Sequence, residues 1–252
     1  MEPRLVIDGA TGAPANLALE EVLMRGNRGL VLRLWENERS VIIGRAQLAR
    51  FETDVDRCAK EGIPIVRRVT AGGAVYNGPG NINWSLFVAR ECGAGAIRYL
   101  WSARELFRMA SGLVVRAVGH CGVKAWLDEP NRILTAEGKV GGMAAYLSRA
   151  GLLCHGTLLL GANLEEVESL TRPAEAQLDR KYTRSKAMRV ANTGISPDAF
   201  IASMRRVLEE ETGTVIEHGG PTDQELGAMQ LLLPKYEDPA WNLGDPFAEG
   251  AV

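Results

Sequence analysis

Short apolar segments that follow one another with only turn-length gaps constrain this chain more than any other feature. Val123 to Leu127, Arg132 to Ala136, Val140 to Leu147 and Leu152 to Leu160 read as β segments in succession. Earlier, Leu30 to Trp35 alternates as a half-buried strand does, Ser40 to Gly44 is a second short strand, and Ile63 to Val69 and Ile82 to Ala89 are two more. Helical patterns are placed irregularly among them. Pro14 and Asn16 introduce one, with Leu19, Val22 and Leu23 on one face and Gly26 near its stop. Asp54 to Gly62 has an acidic start and a glycine stop. Ala96 to Val118 is a long amphipathic helix with Leu100, Leu106, Leu113 and Val114 as core contacts. Ser196-Pro197 caps a helix that buries Phe200, Met204, Val207 and Leu208. Thr222 and Glu225 form a capping box for a last helix ending near Pro234. Many adjacent strands with helices between some of them favour an α/β fold of the α+β type. The expected sheet is mixed, largely antiparallel and flanked by helices, not doubly wound and parallel.

Composition narrows the class. The 252 residues suit one large domain or two small ones, and a formal charge of −2 argues against a general electrostatic grip on nucleic acid. No run approaches the ~20 apolar residues of a membrane span, and the start Met1-Glu2-Pro3-Arg4 lacks a signal-peptide apolar region. Cys58, Cys92, Cys121 and Cys154 are scattered, which reads as reduced thiols of a cytoplasmic protein. His120-Cys121 has no second ligand pair nearby, so a zinc site is not expected.

Four stretches carry chemistry. Arg67-Arg68-Val69-Thr70-Ala71-Gly72-Gly73-Ala74-Val75-Tyr76 joins two cations to paired glycines. Its amides can approach an anion closely and its guanidiniums can hold a carboxylate or phosphate; a hairpin turn with solvated arginines is the plain alternative. In Glu137-Gly138-Lys139-Val140-Gly141-Gly142-Met143-Ala144 a lysine between glycines starts a β segment. Its ammonium either neutralises an acyl carboxylate and later the acyl-phosphate oxygens, or stands at a hairpin tip in water. In Cys154-His155-Gly156-Thr157, His155 either bonds a ligand or is structural; adjacent strand residues point to opposite faces, so Cys154 is a structural thiol and not its dyad partner. Lys181 to Asn192 is a basic loop, suited to closing over a nucleotide or to lying in solvent.

In order, Arg67-Arg68 with Gly72-Gly73-Ala74-Val75-Tyr76, then Gly80-Asn81-x-Asn83, Gly138-Lys139-Val140-x-Gly142 and His155-Gly156-Thr157-Leu158-Leu159 resemble the lipoate–protein ligase family, within the wider biotin/lipoate ligase fold. Asn16 to Glu20, Trp35, Gly44-Arg45-x-Gln47 and Ser185 to Asn192 extend the likeness over nearly the whole chain. The resemblance implies activation of lipoate or octanoate by ATP to an acyl-adenylate, with Mg2+, and acyl transfer to a lysine of a lipoyl-carrier protein, a lipoyl domain or a glycine-cleavage H-like protein. It assigns Lys139 to catalysis. Arg68, Ala71, Gly72, Gly73, Val75, Tyr76, Asn83, Gly142, His155, Gly156, Thr157, Arg184 and Arg189 would contact substrate or adenylate.

The sequence departs from that family in places. Thr70-Ala71 replaces the usual Ser-Gly, Asn77-Gly78 stands where His-Asp is common, Asn131-Arg132 replaces Asn-Asp, and Gly141 replaces Ser or Ala. Residues 1–233 correspond to the catalytic domain. Lys235-Tyr236-x-x-x-x-Trp241-Asn242-x-Gly244, within a 234–252 tail, resembles the start of the accessory domain of longer ligases, so a separate accessory subunit is an expected partner. Other readings are an ATP-independent octanoyl or lipoyl transferase acting through a thioester on Cys121, and a non-catalytic carrier-binding homologue. A biotin ligase fits less well, because the Arg67 loop lacks alternating glycine and arginine.

Overall fold

The elements run β1 (Arg4–Ile7), α1 (Ala13–Gly26), β2 (Leu30–Trp35), β3 (Ser40–Ile43), α2 (Val55–Glu61), β4 (Ile65–Arg67), β5 (Val75–Asn77), β6 (Asn81–Ala89), α3 (Ala103–His120), β7 (Trp126–Asp128), β8 (Arg132–Thr135), β9 (Gly138–Leu147), β10 (Gly151–Leu159), α4 (Leu164–Leu170), α5 (Pro197–Thr212), β11 (His218–Gly219), α6 (Asp223–Glu237) and α7 (Pro239–Leu243). This computed structural model describes residues 3–26, 29–89, 102–149, 151–171, 173, 175 and 177–248. Cys92 and the expected start of the long helix at 96–101, with Leu100, lie outside the described residues. The long helix begins at Ala103 and not at Ala96, because Ser102 is its extended N-cap and closes a capping box with Glu105, and it ends at His120, two residues beyond Val118.

Eight strands form one sheet in the order β11-β1-β2-β6-β10-β9-β8-β7, and β4-β3-β5 form a second. Only β1–β11 and β1–β2 in the large sheet and β3–β4 in the small one are parallel. The successive strands β7 to β10 are antiparallel, as their short connections dictate. Leu30–Trp35 differs from its half-buried expectation. From Val31 to Trp35 every side chain is buried, because β2 lies between β1 and β6 and is covered on both faces.

The two faces of β6 and β10 separate core from site. Ile82, Trp84, Leu86 and Val88 point with Leu152, Cys154 and Leu158 into a core shared with Leu106, Ala110 and Val114 of α3 and Phe200, Met204 and Val207 of α5. Burying these side chains contributes roughly 1.5–3 kcal/mol apiece before ordering costs. The opposite face meets α1 through Leu19 and Leu23, packed on Val31, Phe87 and Leu153. Towards the strand ends that same face carries Asn83, Ser85, His155 and Thr157 instead of apolar residues. No helix among the described residues is long and apolar enough to cross a membrane.

The chain just after Pro234 is packed on the rest of the fold. The last helix continues through Pro234 to Glu237, because Lys235 Nζ and Tyr236 Oη bond Glu21 Oε2 of α1 at 2.7 and 2.5 Å. Trp241 Nε1 then donates to the Arg67 carbonyl at 2.9 Å, so these residues are stitched to β4. The stop signal of a proline is overridden by tertiary contacts.

Candidate active site

A β-bulge sets the position of Lys139. Strand β8 pairs Ile133 with Gly141 but Leu134 with Lys139, so Val140 is the extra residue. Strict alternation would put Lys139 and Gly142 on opposite faces. With the bulge, both face the cleft, and a Cβ on Gly142 would lie 3.4 Å from Lys139 Cε and Nζ. Glycine at 142 thus leaves the lysine its channel. Backbone bonds to Arg189 O (3.0 Å) and from Ala191 N (2.9 Å) fix Lys139 against the basic loop. Among the described residues its ammonium has no carboxylate partner. Burial, and then repulsion from Arg132, hold its pKa below the ordinary lysine value.

The loop between β4 and β5 is built around its arginines, whose donors are directed to backbone carbonyls. Arg67 sends its donors to the carbonyls of Gly44, Arg45, Gln47, Trp241, Asn242 and Gly244. Arg68 bonds Thr70 Oγ1 (2.9 Å) and the carbonyls of Ile42, Ala71 (2.7 Å) and Gly73 (2.9 Å). Gly72, at φ +105°, makes the turn that brings these carbonyls round the guanidinium. Arg68 therefore shapes the loop, although it also lines the cleft.

Two buried polar relays stand beneath it. Trp35 Nε1 donates to Ser85 Oγ (2.9 Å), and Ser85 Oγ to Glu20 Oε1 (2.6 Å). His155 Nδ1 lies 2.8 Å from the same oxygen, and its Nε2 lies 2.7 Å from Thr70 Oγ1. Glu20 Oε1 accepts from Nδ1, and Thr70 Oγ1, which accepts from Arg68 Nε, pairs with Nε2. Burial alone drives the Glu20 carboxyl up; His155, Ser85 and Arg33 outweigh it and hold it below its ordinary range. Both ring nitrogens of His155 are thus partnered within the protein, and its ring lines the inner lobe. The second relay runs from Asp8 to Arg33, then Asn16 Oδ1 (2.6 Å), Asn37 Oδ1 (2.9 Å) and Asn77 Oδ1 (2.9 Å). It leaves Asn77 Nδ2 buried without a protein acceptor, as is Asn83 Nδ2, and both residues line the cleft. Sequence reasoning missed Glu20, Asn37 and Arg33. The available signal was Arg33, a charge in the middle of an apolar strand.

The basic loop lies across the cleft and is docked, not free in solvent. Arg184 Nε bonds Glu52 Oε1 (2.6 Å), Ser185 N bonds Glu52 Oε2 (2.9 Å), and Ala74 N donates to Ser185 Oγ (2.8 Å). Arg184 thus anchors the loop to a fully buried carboxylate. Under the loop the cleft has two lobes. The inner, about 340 Å3, is lined by Leu17, Trp35 and Ile42 and by the expected residues Arg68, Gly72, Gly73, Val75, Asn83, Gly142, His155, Gly156, Thr157 and Arg184. The outer, about 640 Å3, is lined by Tyr76, Arg189, Ser185 and the α4 residues Glu165 and Glu168. Lys139, Ala74, Val75 and Thr157 belong to both. Ala71 lines neither; its carbonyl serves Arg68.

Tyr76 positions the outer wall. Its Oη donates to Glu166 Oε2 of α4 at 2.5 Å, and Arg39 holds the other oxygen. A Cβ at residue 78 would lie 2.7 Å from that Oη, which accounts for Gly78 after Asn77. Tyr76→Phe should loosen α4 and weaken binding in the outer lobe about threefold to tenfold, the worth of one hydrogen bond, with inner-lobe binding unchanged. Separate titrations with nucleotide and with acyl acid measure the two.

Metal and thiol chemistry find little support in the donor set. Among the described residues no three His, Cys, Asp or Glu side chains stand together as a metal site, and no carboxylate lines the inner lobe. The residues do not fit a protein-held divalent cation there. Cys154 is buried in the core, which pushes its thiol pKa well up. Cys121 caps the end of α3 and lines neither lobe.

Residues 13–210 match the model of the lipoyl protein ligase A/B catalytic domain. Lipoate-protein ligase A subunit 1 of Thermoplasma acidophilum is 28% identical, over 97% of this chain and 97% of its own. The structure of a lipoate-protein ligase A bound with ATP superposes with a TM-score of 0.81 at 25% identity, covering 97% of this chain and 99% of that one. A bi-partite lipoate protein ligase of T. acidophilum, described with its E2 lipoyl domain, gives 0.80 at 26% identity and 97% coverage of each chain. The chain belongs to the lipoyl protein ligase A/B catalytic domain family.

Proposed function

We propose that this protein is a lipoate–protein ligase that forms lipoyl-adenylate from lipoate and ATP and passes the acyl group to a lysine of a lipoyl-carrier domain. One observation carries the reading: an apolar-ended lobe and a larger lobe that carries Glu165, Glu168 and Arg189 meet at a half-buried lysine that has no carboxylate partner among the described residues. The inner lobe, ending on Leu17, Trp35 and Ile42, suits the acyl chain, and the outer lobe suits the nucleotide. A carboxylate at their junction attacks the α-phosphorus; an acyl O–P bond forms, the Pα–O bond to the β-phosphate breaks, and pyrophosphate leaves. Lys139 lies where that negative charge develops, in a water-poor site where a fixed cation counts most. In the second step the acceptor amine attacks the acyl carbon, AMP leaves, and the amine proton passes to solvent. Asn77 and Asn83 supply buried donors that await an acceptor. Magnesium enters with the phosphates of ATP in the outer lobe, where Glu165 and Glu168 are the lining carboxylates. The name of the Thermoplasma relative, subunit 1, supports a second chain as partner.

The test is incubation with lipoate, Mg·ATP and a purified lipoyl domain, with and without a candidate second subunit, read by mass spectrometry of adenylate and acceptor. Lipoyl-adenylate and a lipoylated acceptor are expected in at least one arm. Absence of both, together with no transfer from synthetic lipoyl-adenylate, overturns the reading. An acyl thioester on Cys121, formed without ATP, would instead establish the transferase alternative.

A further inference from the structure

Arg132 stands where a carboxylate is common in the resembled family, and the structure gives it a definite setting. It is paired in register with Gly142, the residue over which the Lys139 ammonium lies, so two cations meet on one face of β8 and β9. Its Nη2 reaches Asp128 at 2.7 Å, which holds the guanidinium from the β7 side. Its Nη1 meets only the Met188 sulfur at 3.1 Å, a weak acceptor. Its Nε is buried with no acceptor among the described residues. The other arginines of the inner lobe are differently employed: Arg68 serves loop carbonyls and Arg184 serves Glu52. An anion at the junction of the lobes therefore finds Lys139 on one side and two under-used guanidinium nitrogens on the other, with no carboxylate among the described residues lining the inner lobe.

We propose that Arg132 is the second cation of a metal-free phosphate seat, in which it and Lys139 take the phosphoryl oxygens of the acyl-adenylate directly. The inference rests on the acyl-adenylate reading above. Met188, which lines both lobes, is displaced from Nη1 when the anion arrives, and Nε gains its missing partner. Asp128 keeps the guanidinium oriented without entering the seat.

Calorimetric titration with lipoyl-sulfamoyl-adenosine, a non-hydrolysable anionic analogue of the adenylate, in excess EDTA and in excess magnesium chloride, tests this. The wild-type chain should bind equally in the two buffers. Arg132→Ala and Arg132→Gln should each bind about 10- to 100-fold more weakly in both, the worth of a charge-assisted contact, while binding of neutral lipoamide stays unchanged. Arg132→Asp should bind weakly in EDTA and recover in part with magnesium. Wild-type binding that requires magnesium, or Ala and Gln variants that bind as tightly as wild type, overturns the proposal and leaves the ligase reading standing. Failure of the wild-type chain to bind the analogue in either buffer overturns that reading itself.

Discussion

Lys139→Ala lowers lipoyl-adenylate formation by about a hundred- to a thousandfold, the usual cost of removing one preorganised charge-stabilising group, and leaves the melting temperature unchanged or raised. The two halves of this expectation have one cause. The ammonium is half-buried and partly desolvated, is repelled by Arg132, and has no carboxylate partner among the described residues. A cation so placed contributes little to folding and is available to a transient anion. The sign of its pH dependence follows. Its folded pKa lies below its unfolded value, so the folded state binds fewer protons between the two, and stability rises with pH across that window. Activity moves the other way, because the ammonium is lost as pH rises through the lowered value. The alkaline limb of kcat/KM should therefore fall below the ordinary lysine range near pH ~10.4. Lys139→Arg should move that limb upward. Arg132→Ala should move it upward too, since it removes a repelling charge. A Lys139→Ala enzyme with undiminished adenylation, or one that melts well below wild type, would sink the idea that the lysine is held for chemistry.

Local signals were legible wherever neighbouring residues decide the structure. Asp54 caps α2 by accepting from Arg57 N, and Gly62 ends it in the left-handed region. Ser196 and Thr222 cap α5 and α6 as their sequences indicate. The opposite faces of Cys154 and His155 followed from strand alternation alone. The rest depended on residues far apart in the chain. The bulge at Val140 breaks alternation at the one lysine that matters, and only pairing with β8 reveals it. The sequence does not show that Glu52, from a distant turn, pairs with Arg184. Nor does it show that Glu20 of α1 and Thr70 of the glycine loop hold the two nitrogens of His155. In each case a polar group drawn from solvent found a partner that periodicity cannot supply. The overall class survived because it rests on how many strands are adjacent, which is a local property.

Arg67→Ala should be the most destabilising single change near the site, by about 3–4 kcal/mol, the range in which buried networks break. Sequence alone makes Arg67 and Arg68 look equivalent. In the structure Arg67 is almost wholly buried and joins three pieces of chain: β4, the turn at Gly44 to Gln47, and the C-terminal stretch from Trp241 to Gly244. Its backbone takes part as well, with Arg67 N donating to Asn242 Oδ1 and Arg67 O accepting from Trp241 Nε1, both at 2.9 Å. Burial pulls the guanidinium pKa down only to about 10, so it stays charged at neutral pH. Truncation would leave six carbonyls without their shared donor, and the side chains around them cannot replace it. For a chain of this size the melting temperature should fall by roughly 10 °C. Arg67→Lys should recover only part of that, since an ammonium has three donors and no planar fork. The defect should also reach the cleft. Gln47 orients Ser185 through Nε2 at 3.1 Å, and Ser185 holds the glycine loop through Ala74, so surviving enzyme should show a raised KM more than a lowered kcat. Thermal denaturation and steady-state kinetics on the two variants separate these effects. Equal melting temperatures for wild type and Arg67→Ala would mean that the C-terminal stretch does not clamp β4 in solution.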